Sequence, residues 1–530
     1  MLISPPFLPA NSGAAVYDAQ CVKDAMPGGL VGSGAYPVSQ AMGWHGGIHV
    51  GSPASGEPVR AIADGWVVYR RENTETAYDG QTYSTGCVVI RHETEIGARL
   101  NAAGPATPTK FTYYSITLHL STLDKDLPAV TKPIWRKDRL GTPGKINSQD
   151  NRIHFEIVCG DDDLKALVNR KTGRLALESD GRSDAVYGTT YIFVPQGAPL
   201  HAKMPAASSP GASTDLTTED LVIGIDHEAG DVSLTTWRLA GAVAGSITEP
   251  NKAEYRLYEE AVARHKAMPA NSSPSGWYEL LRFGRNLGPD PLPAQAPHWR
   301  QIKLPDGSRK WIDLNTRATT KYSDADFPHW RGWRLVDDDV TDDDSRCDSK
   351  MIERLLNTTP EGEPIANDTP QSRANRLGAS DVQSKLAKTI CKFPTEWVKA
   401  DVELRWKWLK DQGNPYNRQP LSEEDFAGFA EFAKKLCFWE ELPEADKTRL
   451  TKKHWHFHPR EFIAHMRKCG WLSNDEMTQC IPRNSPAGLV SRSTAYGRVL
   501  TLGQSINLMS RKFGLCSPIR LIHVLAQIWA

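Results

Sequence analysis

The stretch that decides the fold of the first domain is Trp44-His45-Gly46-Gly47-Ile48-His49, which places two imidazoles four residues apart on a turn loosened by glycine. A second stretch, Ile153-His154-Phe155-Glu156-Ile157, carries one more histidine on a predicted strand. Between them, Tyr114 to Leu120 (YSITLHL) places His119 on another predicted strand. Imidazoles that come from separate β segments, with none on a helix, indicate a metal site built on a sheet.

The composition excludes several classes of protein. A chain of 530 residues is too long for one core and predicts about three or four domains. Its 63 basic and 63 acidic residues give a net charge of zero, which argues against a dedicated nucleic-acid binder because such a protein needs a basic face. No run of about 18 apolar residues occurs, so we expect no membrane insertion.

The N-terminus and the cysteines bear on the compartment. The first 18 residues have neither the basic start nor the apolar core of a secretory signal, which predicts synthesis in the cytoplasm without a signal peptide. The nine cysteines are scattered and form no CxxC pair, so a disulfide framework and a cysteine-rich zinc site are not expected.

The order of short strands, turns and helical patterns predicts a multidomain α+β protein. Residues 58–69, 86–92, 110–122 and 151–159 have the pattern of strands, and residues 139–144 have that of a turn. The predicted segments are an irregular lead-in (1–29), an antiparallel β domain (30–165), a β-rich middle region with many tryptophans (185–340), a linker (341–384) and a helical region (385–530).

The middle region allows two interpretations. The run that ends in Trp311-Ile312 after a Pro-Asp-Gly turn resembles small bacterial Src-homology-type barrels, which often bind cell wall. The alternative is a β spacer whose tryptophans form its core. Residues 206–213 have the composition of a linker, and the acidic run Asp337–Asp344 lacks the glycine and the spaced glutamate of a calcium loop, so we expect a solvated linker there.

The last part of the chain has apolar residues at helical spacing. The predicted helices cover residues 385–392, 394–409, 423–440, 459–468 and 501–530. Just before the fourth of them, His454, His456 and His458 alternate with aromatic residues, so on a strand all three would face one way and could bind a metal. A lead-in to the helix at Pro459, packed on aromatic neighbours, is the favoured interpretation.

Four short motifs in the first domain occur in a specific order. They are His45-x-Gly47-x-His49, a run from Gly56 to Val67, Leu118-His119-Leu120 and Ile153-His154-Phe155-Glu156. This set resembles the LytM/lysostaphin-type zinc peptidases, which hydrolyse peptide cross-links or related amide bonds of peptidoglycan. The resemblance covers roughly residues 30–160.

The resemblance implies Zn²⁺ and a set of site residues. The first zinc ligand of the family falls on His45, the second falls on His49 where the family has an aspartate, and the third falls on His154. The histidine that the family uses around the attacking water falls on His119. The first histidine of the family's H-x-H pair falls on Arg152.

Two of these positions depart from the family pattern. With His49 the ligand set is three neutral imidazoles, which can hold catalytic zinc. Arg152 cannot act as a base, but its fixed charge could stabilise an oxyanion. Glu156 shares the strand face of His154 and either contacts a histidine or forms a surface salt bridge. His92 is expected to be structural.

The final run from Phe513 to Ile528 resembles the opening of chitinase-like lysozymes, and the segment from about Phe393 resembles the region that precedes this module in cell-wall-degrading toxins of the type VI secretion system. The resemblances imply a zinc-dependent amidase or endopeptidase of peptidoglycan, secreted as an antibacterial effector into the periplasm of a target cell. An immunity protein and a secretion-apparatus carrier are the further partners implied. The alternatives are a catalytically degenerate module for wall binding or delivery, and a phage lytic enzyme.

Overall fold

The protein was analysed as a computed structural model of the whole chain. The residues that the structure describes are 1–9, 18–29, 34–102, 104–170, 172–205, 213–341, 343–359, 363–366, 368–417, 419–481, 484–485, 488–515 and 517–529.

The strands, in chain order, are β1 (Gly47–Gly51), β2 (Val59–Arg60), β3 (Gly65–Arg71), β4 (Thr76–Tyr78), β5 (Gln81–Tyr83), β6 (Gly86–Arg99), β7 (Thr107–Leu123), β8 (Pro133–Ile134), β9 (Arg139–Ile146), β10 (Gln149–Cys159), β11 (Thr190–Val194), β12 (Leu221–Glu228), β13 (Asp231–Arg238), β14 (Val243–Glu249), β15 (Trp299–Lys303), β16 (Arg309–Asp313), β17 (Thr320–Ser323), β18 (Arg334–Val336), β19 (Thr389–Pro394), β20 (Lys453–Phe457), β21 (Asn484–Ser485) and β22 (Gly488–Leu489).

The α-helices are α1 (Asp18–Asp24), α2 (Asp161–Val168), α3 (Leu257–Ala267), α4 (Pro274–Phe283), α5 (Lys350–Leu356), α6 (Pro370–Arg376), α7 (Ser380–Leu386), α8 (Val402–Trp406), α9 (Glu423–Leu436), α10 (Glu444–Leu450), α11 (Pro459–Met466), α12 (Asn474–Gln479), α13 (Arg492–Lys512) and α14 (Pro518–Ile528). Short 3₁₀ helices cover Ala253–Arg256, Asp324–Asp326, His329–Arg331, Lys399–Asp401, Lys407–Lys410 and Trp439–Glu441.

The chain forms two compact units, each built from three separate segments. Unit 1 contains residues 1–94, 110–167 and 334–467, and unit 2 contains residues 95–109, 168–333 and 468–530. This mixture of sheets and helices confirms the predicted multidomain α+β class with a helical C-terminal region. The predicted domain boundaries stay a prediction.

Unit 1 is built on a mixed sheet whose central strand is β10. The strand order is β18-β19-β20-β10-β9-β7-β6-β3-β8, with β1 also paired to β10 and β2 to β9. One edge of β10 pairs with β1 and then with β20, and its other edge pairs with β9 and β7. Every residue of β10 from Ile153 to Cys159 is buried, so its side chains are covered on both faces. Side chains on β10 therefore lie in the interior of the unit, where their polar atoms need partners.

Two strands of this sheet come from a region for which we predicted helices. β19 lies across the predicted helices of residues 385–392 and 394–409, and it pairs with β20, which in turn pairs with β10. The helical prediction was wrong at β19 because the spacing of its apolar residues does not report a partner strand whose paired residues lie 59 to 67 positions away in sequence. The helices α9 and α11 lie where they were predicted.

One hydrophobic cluster joins both ends of unit 1. Side chains of β3, β6, β7 and β10 pack there against side chains that follow residue 396, and each fully buried large apolar side chain contributes about 1.5–3 kcal/mol. The cluster consists of Val68, Tyr69, Cys87, Val89, Tyr114, Ile116, Leu118, Val158, Trp397, Val398, Leu436, Phe438, Trp439, Leu442 and Leu450.

The strands predicted for the first domain are present in unit 1, and one predicted turn is a strand. The predicted strands at residues 58–69, 86–92, 110–122 and 151–159 are confirmed by β2, β3, β6, β7 and β10. The predicted turn at residues 139–144 is wrong, because β9 runs through it and pairs with both β7 and β10.

The acidic run before α5 is hydrogen-bonded within unit 1. Asp339 Oδ2 accepts from the indole N–H of Trp44 at 2.6 Å, and Asp338 Oδ1 accepts from the Ser349 hydroxyl at 2.5 Å. The acidic run was predicted to be a solvated linker, but two of its carboxylates hold it to other parts of unit 1 through hydrogen bonds.

Unit 2 contains a five-stranded antiparallel sheet in the order β14-β13-β12-β11-β17 and the hairpin β15–β16. Most of its tryptophans are buried, as expected of core residues, and Trp311 is half-buried. The Src-homology-type barrel stays a prediction, and the linker predicted at residues 206–213 lies almost wholly outside the described residues. The buried tryptophans are Trp237, Trp277, Trp299, Trp330, Trp333 and Trp471.

The cysteines and the helices bear on the expected absence of disulfide bonds and of a membrane span. The eight cysteines among them are all free thiols. In the same part of the chain, no helix combines the length and the apolar character needed to cross a bilayer.

His92 on β6 is a structural histidine whose environment predicts a pH dependence. Its ring is 1% exposed, with Nδ1 2.9 Å from the Asp64 carbonyl oxygen and Nε2 2.8 Å from Ser115 Oγ. Burial lowers the pKa of His92 from 6.5 to about 4. The unfolded chain therefore binds a proton at a pH where the folded chain does not, and the stability that His92 supports is lost as the pH falls.

We expect the His92→Gln variant to have a flatter dependence of the free energy of unfolding on pH than the wild type. Between a pH of about 6.5 and about 4, His92 should lower the stability by about 1.4 kcal/mol per pH unit. Urea unfolding at several pH values, with chelator present, measures this slope. A matched His523→Gln variant changes an exposed histidine and should keep the wild-type slope. An unchanged slope in the His92 variant would contradict the prediction.

Candidate metal centre

Three histidines of unit 1 meet at the centre of the sheet. His49 on β1 lies opposite His154 on β10 in the antiparallel register, and His45 precedes β1. Their ring centroids are 4.8 to 5.4 Å apart, and one nitrogen from each ring lies within 4.8 Å of the others. The turn predicted for residues 44–49 is limited to residues 44–46, because β1 begins at Gly47. Among the described residues, this group has the arrangement of a metal site.

Neighbouring groups orient two of the three rings. His45 Nδ1 lies 3.0 Å from the Ala35 carbonyl oxygen, and His154 Nε2 lies 2.6 Å from Glu156 Oε1. With these nitrogens as donors, the lone pairs of His45 Nε2 and His154 Nδ1 remain for a metal. Only glycine fits at position 46, because a Cβ there would lie 2.7 Å from His456 Cδ2 and would clash with that ring.

The electrostatics of the three rings fit a metal. Burial, followed by the charge of the neighbouring imidazole His154, lowers the pKa of His45 to about 4. Burial alone lowers the pKa of His154 to about 3, and burial together with His45 lowers the pKa of His49 well below its usual value. All three imidazoles are therefore neutral near pH 7, which is the state that binds metal. Three imidazoles are a known ligand set for zinc with one coordination position left open.

His119 on β7 lies beside this group, with its ring centroid 6.4 Å from that of His49. Its Nδ1 lies 2.6 Å from the Ser84 carbonyl oxygen, which leaves Nε2 as the acceptor. The residue has a φ of 65°, in the left-handed region, and the β7–β9 register shifts just after it. Such a backbone costs about 1–3 kcal/mol and is often found at functional sites. Gly144 on β9 allows it, because a Cβ there would lie 2.5 Å from the His119 carbonyl oxygen.

Arg152 lies on β10 two residues before His154, so the two side chains leave the same face of the strand. Its backbone lies between Gly51 of β1 and Gly144 of β9. After burial and the neighbouring histidines, the charge of Arg152 also contributes to lowering the pKa of His49. Arg152 is not among the residues that line the cavity described below, and its role in catalysis stays a prediction.

Glu156 supports the site from inside the sheet. Its side chain is fully buried, which excludes the surface salt bridge considered above, and Oε1 accepts from His154. The same Oε1 accepts from the indole N–H of Trp397 at 3.0 Å. Burial raises the pKa of Glu156 to about 8, while the Trp397 hydrogen bond acts in the opposite direction. Trp397 was not found from the sequence, because 241 positions separate it from Glu156.

Glu396 is a second group that the sequence did not reveal. Its Oε1 accepts from the Gly46 backbone N–H at 3.1 Å, next to His45. Burial raises the pKa of the Glu396 carboxyl, and the nearby His45 acts to lower it. The site thus contains a second carboxyl group besides that of Glu156, and it lies next to His45.

A cavity of about 360 Å³ opens in front of the histidines. His45, His49, His119 and His154 all border it. The remaining wall is largely aromatic, and its aromatic residues come from the segment before β1, from β5 and from residues 396–436. Its members are Trp44, Tyr83, Trp397, Trp406, Trp408, Phe429 and Phe432.

The Trp397→Phe variant is expected to bind zinc about 10–100-fold more weakly than the wild type. Phenylalanine keeps a ring against His154 but lacks the N–H that holds the Glu156 carboxylate. Competition with a chromogenic chelator measures the affinity. The matched control is Trp408→Phe, which removes an indole N–H bonded to Ser345 in the same cavity wall. Equal affinities in the two variants would show that the Glu156 contact does not matter.

The second histidine cluster is part of the interior. His454 and His456 lie on β20, so the predicted lead-in is a strand, and His456 stacks on Phe393 with centroids 3.9 Å apart. His458 accepts from the backbone N–H of Glu461 and caps α11. Packing against aromatic neighbours is therefore confirmed. Within the described residues, the three imidazoles do not form a metal-binding group.

Comparisons with known proteins add little to this geometry. No family model and no curated protein sequence matches the chain. A solution structure of lysostaphin is similar with a TM-score of 0.16 and 16% identity over 38% of this chain and 80% of lysostaphin. A structure of the antimicrobial peptidase lysostaphin from Staphylococcus simulans has a TM-score of 0.14 and 14% identity, over 39% of this chain and 82% of that chain. Because both TM-scores are low, the functional argument depends on the site residues.

Proposed function

We propose that the chain is a zinc-dependent hydrolase of amide bonds in the peptide part of peptidoglycan, an N-acetylmuramoyl-L-alanine amidase or a cross-link endopeptidase. The observation that carries the proposal is the convergence of one nitrogen each from His45, His49 and His154 within 4.8 Å, beside His119 and at the wall of a cavity. The ordered motifs that resemble LytM-type peptidases supply the substrate class.

The ligand roles follow from the tautomers. His45, His49 and His154 would hold the zinc, with Glu156 and the Ala35 carbonyl keeping His154 and His45 in the ligating orientation. Zinc bound there would supply Lewis acidity toward the scissile carbonyl group and the attacking water.

The remaining groups act on protons and charge. Burial holds the pKa of His119 at about 3, so its ring is neutral near pH 7 and Nε2 can accept a hydrogen bond from the attacking water. The water oxygen bonds to the amide carbon, the carbon–nitrogen bond breaks, and His119 relays the proton to the leaving amine. Arg152, which leaves the same face of β10 as His154 but lies outside the cavity lining, would act on the negative charge of the carbonyl oxygen through its electric field and not through a direct contact.

The biological setting is part of the same proposal. The chain would act in the periplasm of a target cell and would reach it through a secretion apparatus, as the resemblance to type VI effectors suggests. A carrier and an immunity protein are the partners to look for. A phage lytic enzyme would use the same chemistry, and a neighbouring immunity gene would distinguish the two settings.

Digestion of purified sacculi tests the chemistry. The purified chain should contain one zinc ion and release soluble muropeptides, a chelator should stop the release, and added zinc should restore it. Mass spectrometry of the products identifies the bond that is cleaved. A chain that carries no zinc and digests no sacculi would refute the proposal.

A wall-binding module without catalysis is the second candidate. The observation that favours it is Arg152, which occupies the position of an imidazole that the family uses around the water. Such a module should sediment with sacculi in the presence of chelator and release no new muropeptides.

A further inference from the structure

The aromatic wall of the cavity has a chemistry that the metal site does not require. Trp406 is the last residue of α8, Phe429 and Phe432 lie on α9, and Tyr83 ends β5; all four are half-buried. The rings of Trp406 and Phe429 are 5.6 Å apart, and those of Tyr83 and Phe432 are 4.7 Å apart. The four side chains, here called the aromatic wall, therefore form a nearly continuous aromatic surface that faces the histidines.

The charged groups that line the cavity indicate whether it binds the anionic stem peptide or the neutral sugars of peptidoglycan. The described residues that line it include no lysine or arginine, and the carboxyl group among them is that of Glu396. The faces of aromatic rings are electron-rich. A carboxylate of the stem peptide would find no cation on this wall and would approach Glu396. A neutral sugar ring is not repelled by Glu396, and its apolar face buries surface area against the aromatic rings.

Neutral polar groups are present at the same cavity. Ser39 and Asn147 border it, and Asn147 Oδ1 accepts from the Tyr83 hydroxyl. Side chains of this kind can hydrogen-bond to hydroxyl and acetamido groups. Aromatic faces flanked by neutral polar groups are suited to a sugar ring, whose one face is apolar and whose edge is polar.

We infer that the aromatic wall holds an N-acetylated pyranose ring of the glycan strand, which presents the amide between the muramoyl lactyl group and the first alanine to His45, His49 and His154. This inference rests on the proposed function and chooses the amidase over the endopeptidase. Water adds to the lactyl carbonyl carbon and the bond to the alanine nitrogen breaks. The water proton ends on that nitrogen, so the products are a lactyl carboxylate and a free alanine amine.

The test measures binding and products separately. The change in tryptophan fluorescence is titrated on the full chain with tri-N-acetylglucosamine, a neutral glycan, and with the free anionic stem tetrapeptide. We expect saturable binding of the glycan, weakened about tenfold by Trp406→Ala and by Phe432→Ala. Trp406→Phe should recover most of the affinity. The matched control Tyr255→Ala removes an exposed aromatic ring in unit 2 and should bind as the wild type does. Zinc content and circular dichroism show that each variant is folded.

Each outcome bears on one proposal. Glycan binding that the wall variants do not weaken, no saturable glycan binding, or tighter binding of the tetrapeptide would overturn the glycan subsite. Products that retain the muramoyl–alanine amide but lack cross-links would overturn the choice of bond and leave the hydrolase intact. If the wall binds glycan while sacculi stay undigested, the hydrolase fails and the glycan subsite stands.

Discussion

Replacement of His119 by asparagine is expected to slow muropeptide release from sacculi by about 10²–10⁴-fold while the chain keeps its zinc. The His119 ring lies beside the ligand group without belonging to it, and its Nε2 is the acceptor available to the attacking water. In the proposed mechanism Arg152 cannot act as a base, so His119 performs this task alone. Initial rates of muropeptide release, with zinc measured by mass spectrometry on the same samples, check the prediction.

Asparagine is chosen because His119 has a φ of 65°, and asparagine tolerates left-handed backbone better than most residues. A second variant, His119→Ala, lacks this tolerance, so a difference in stability between the two reports the backbone and not the ring. An asparagine variant with wild-type activity would show that His119 has no part in the reaction.

Replacement of His154 by alanine is expected to reduce bound zinc from one ion per chain to a trace and to abolish activity. The change removes one of three ligands and leaves the buried Glu156 carboxyl with Trp397 as its polar partner from this group. Because the bound metal stabilises the folded state, zinc should raise the thermal midpoint of the wild type and not that of the variant.

The matched control is His523→Ala, which changes an exposed histidine on α14. It should bind one zinc ion and show the same thermal shift as the wild type. Retention of stoichiometric zinc by the His154 variant would move the metal to another site and refute the assignment of all three ligands.

The sequence predicted the strands of the first domain well because they depend on local pattern. The apolar residues of β3 and the β-branched run of β6 are properties of consecutive residues. The prediction failed at β19, where residues 385–394 have apolar side chains at spacings of three and four. That segment is a strand because β20 supplies its hydrogen-bond partners, and a partner strand overrides a weak local preference.

The grouping of three histidines was predictable for a similar reason. His45 and His49 are close in sequence, and His154 was identified by its strand motif; the structure brings all three together. The tautomers were not predictable, since they depend on Ala35 and Glu156 contacts that only the folded chain makes. The left-handed backbone of His119 was also invisible in the sequence.

By itself the sequence determined which residue types could hold zinc and that His119 and His154 lie on strands, because both follow from the pattern of a few consecutive residues. Only the tertiary structure decided that Glu396, Trp397 and the aromatic wall complete the site. Glu396 contacts Gly46 across 350 positions, and Trp397 contacts Glu156 across 241 positions. No local periodicity in the sequence predicts a contact of that range. Such contacts form because the C-terminal part of unit 1 buries its apolar side chains on the sheet that carries the histidines.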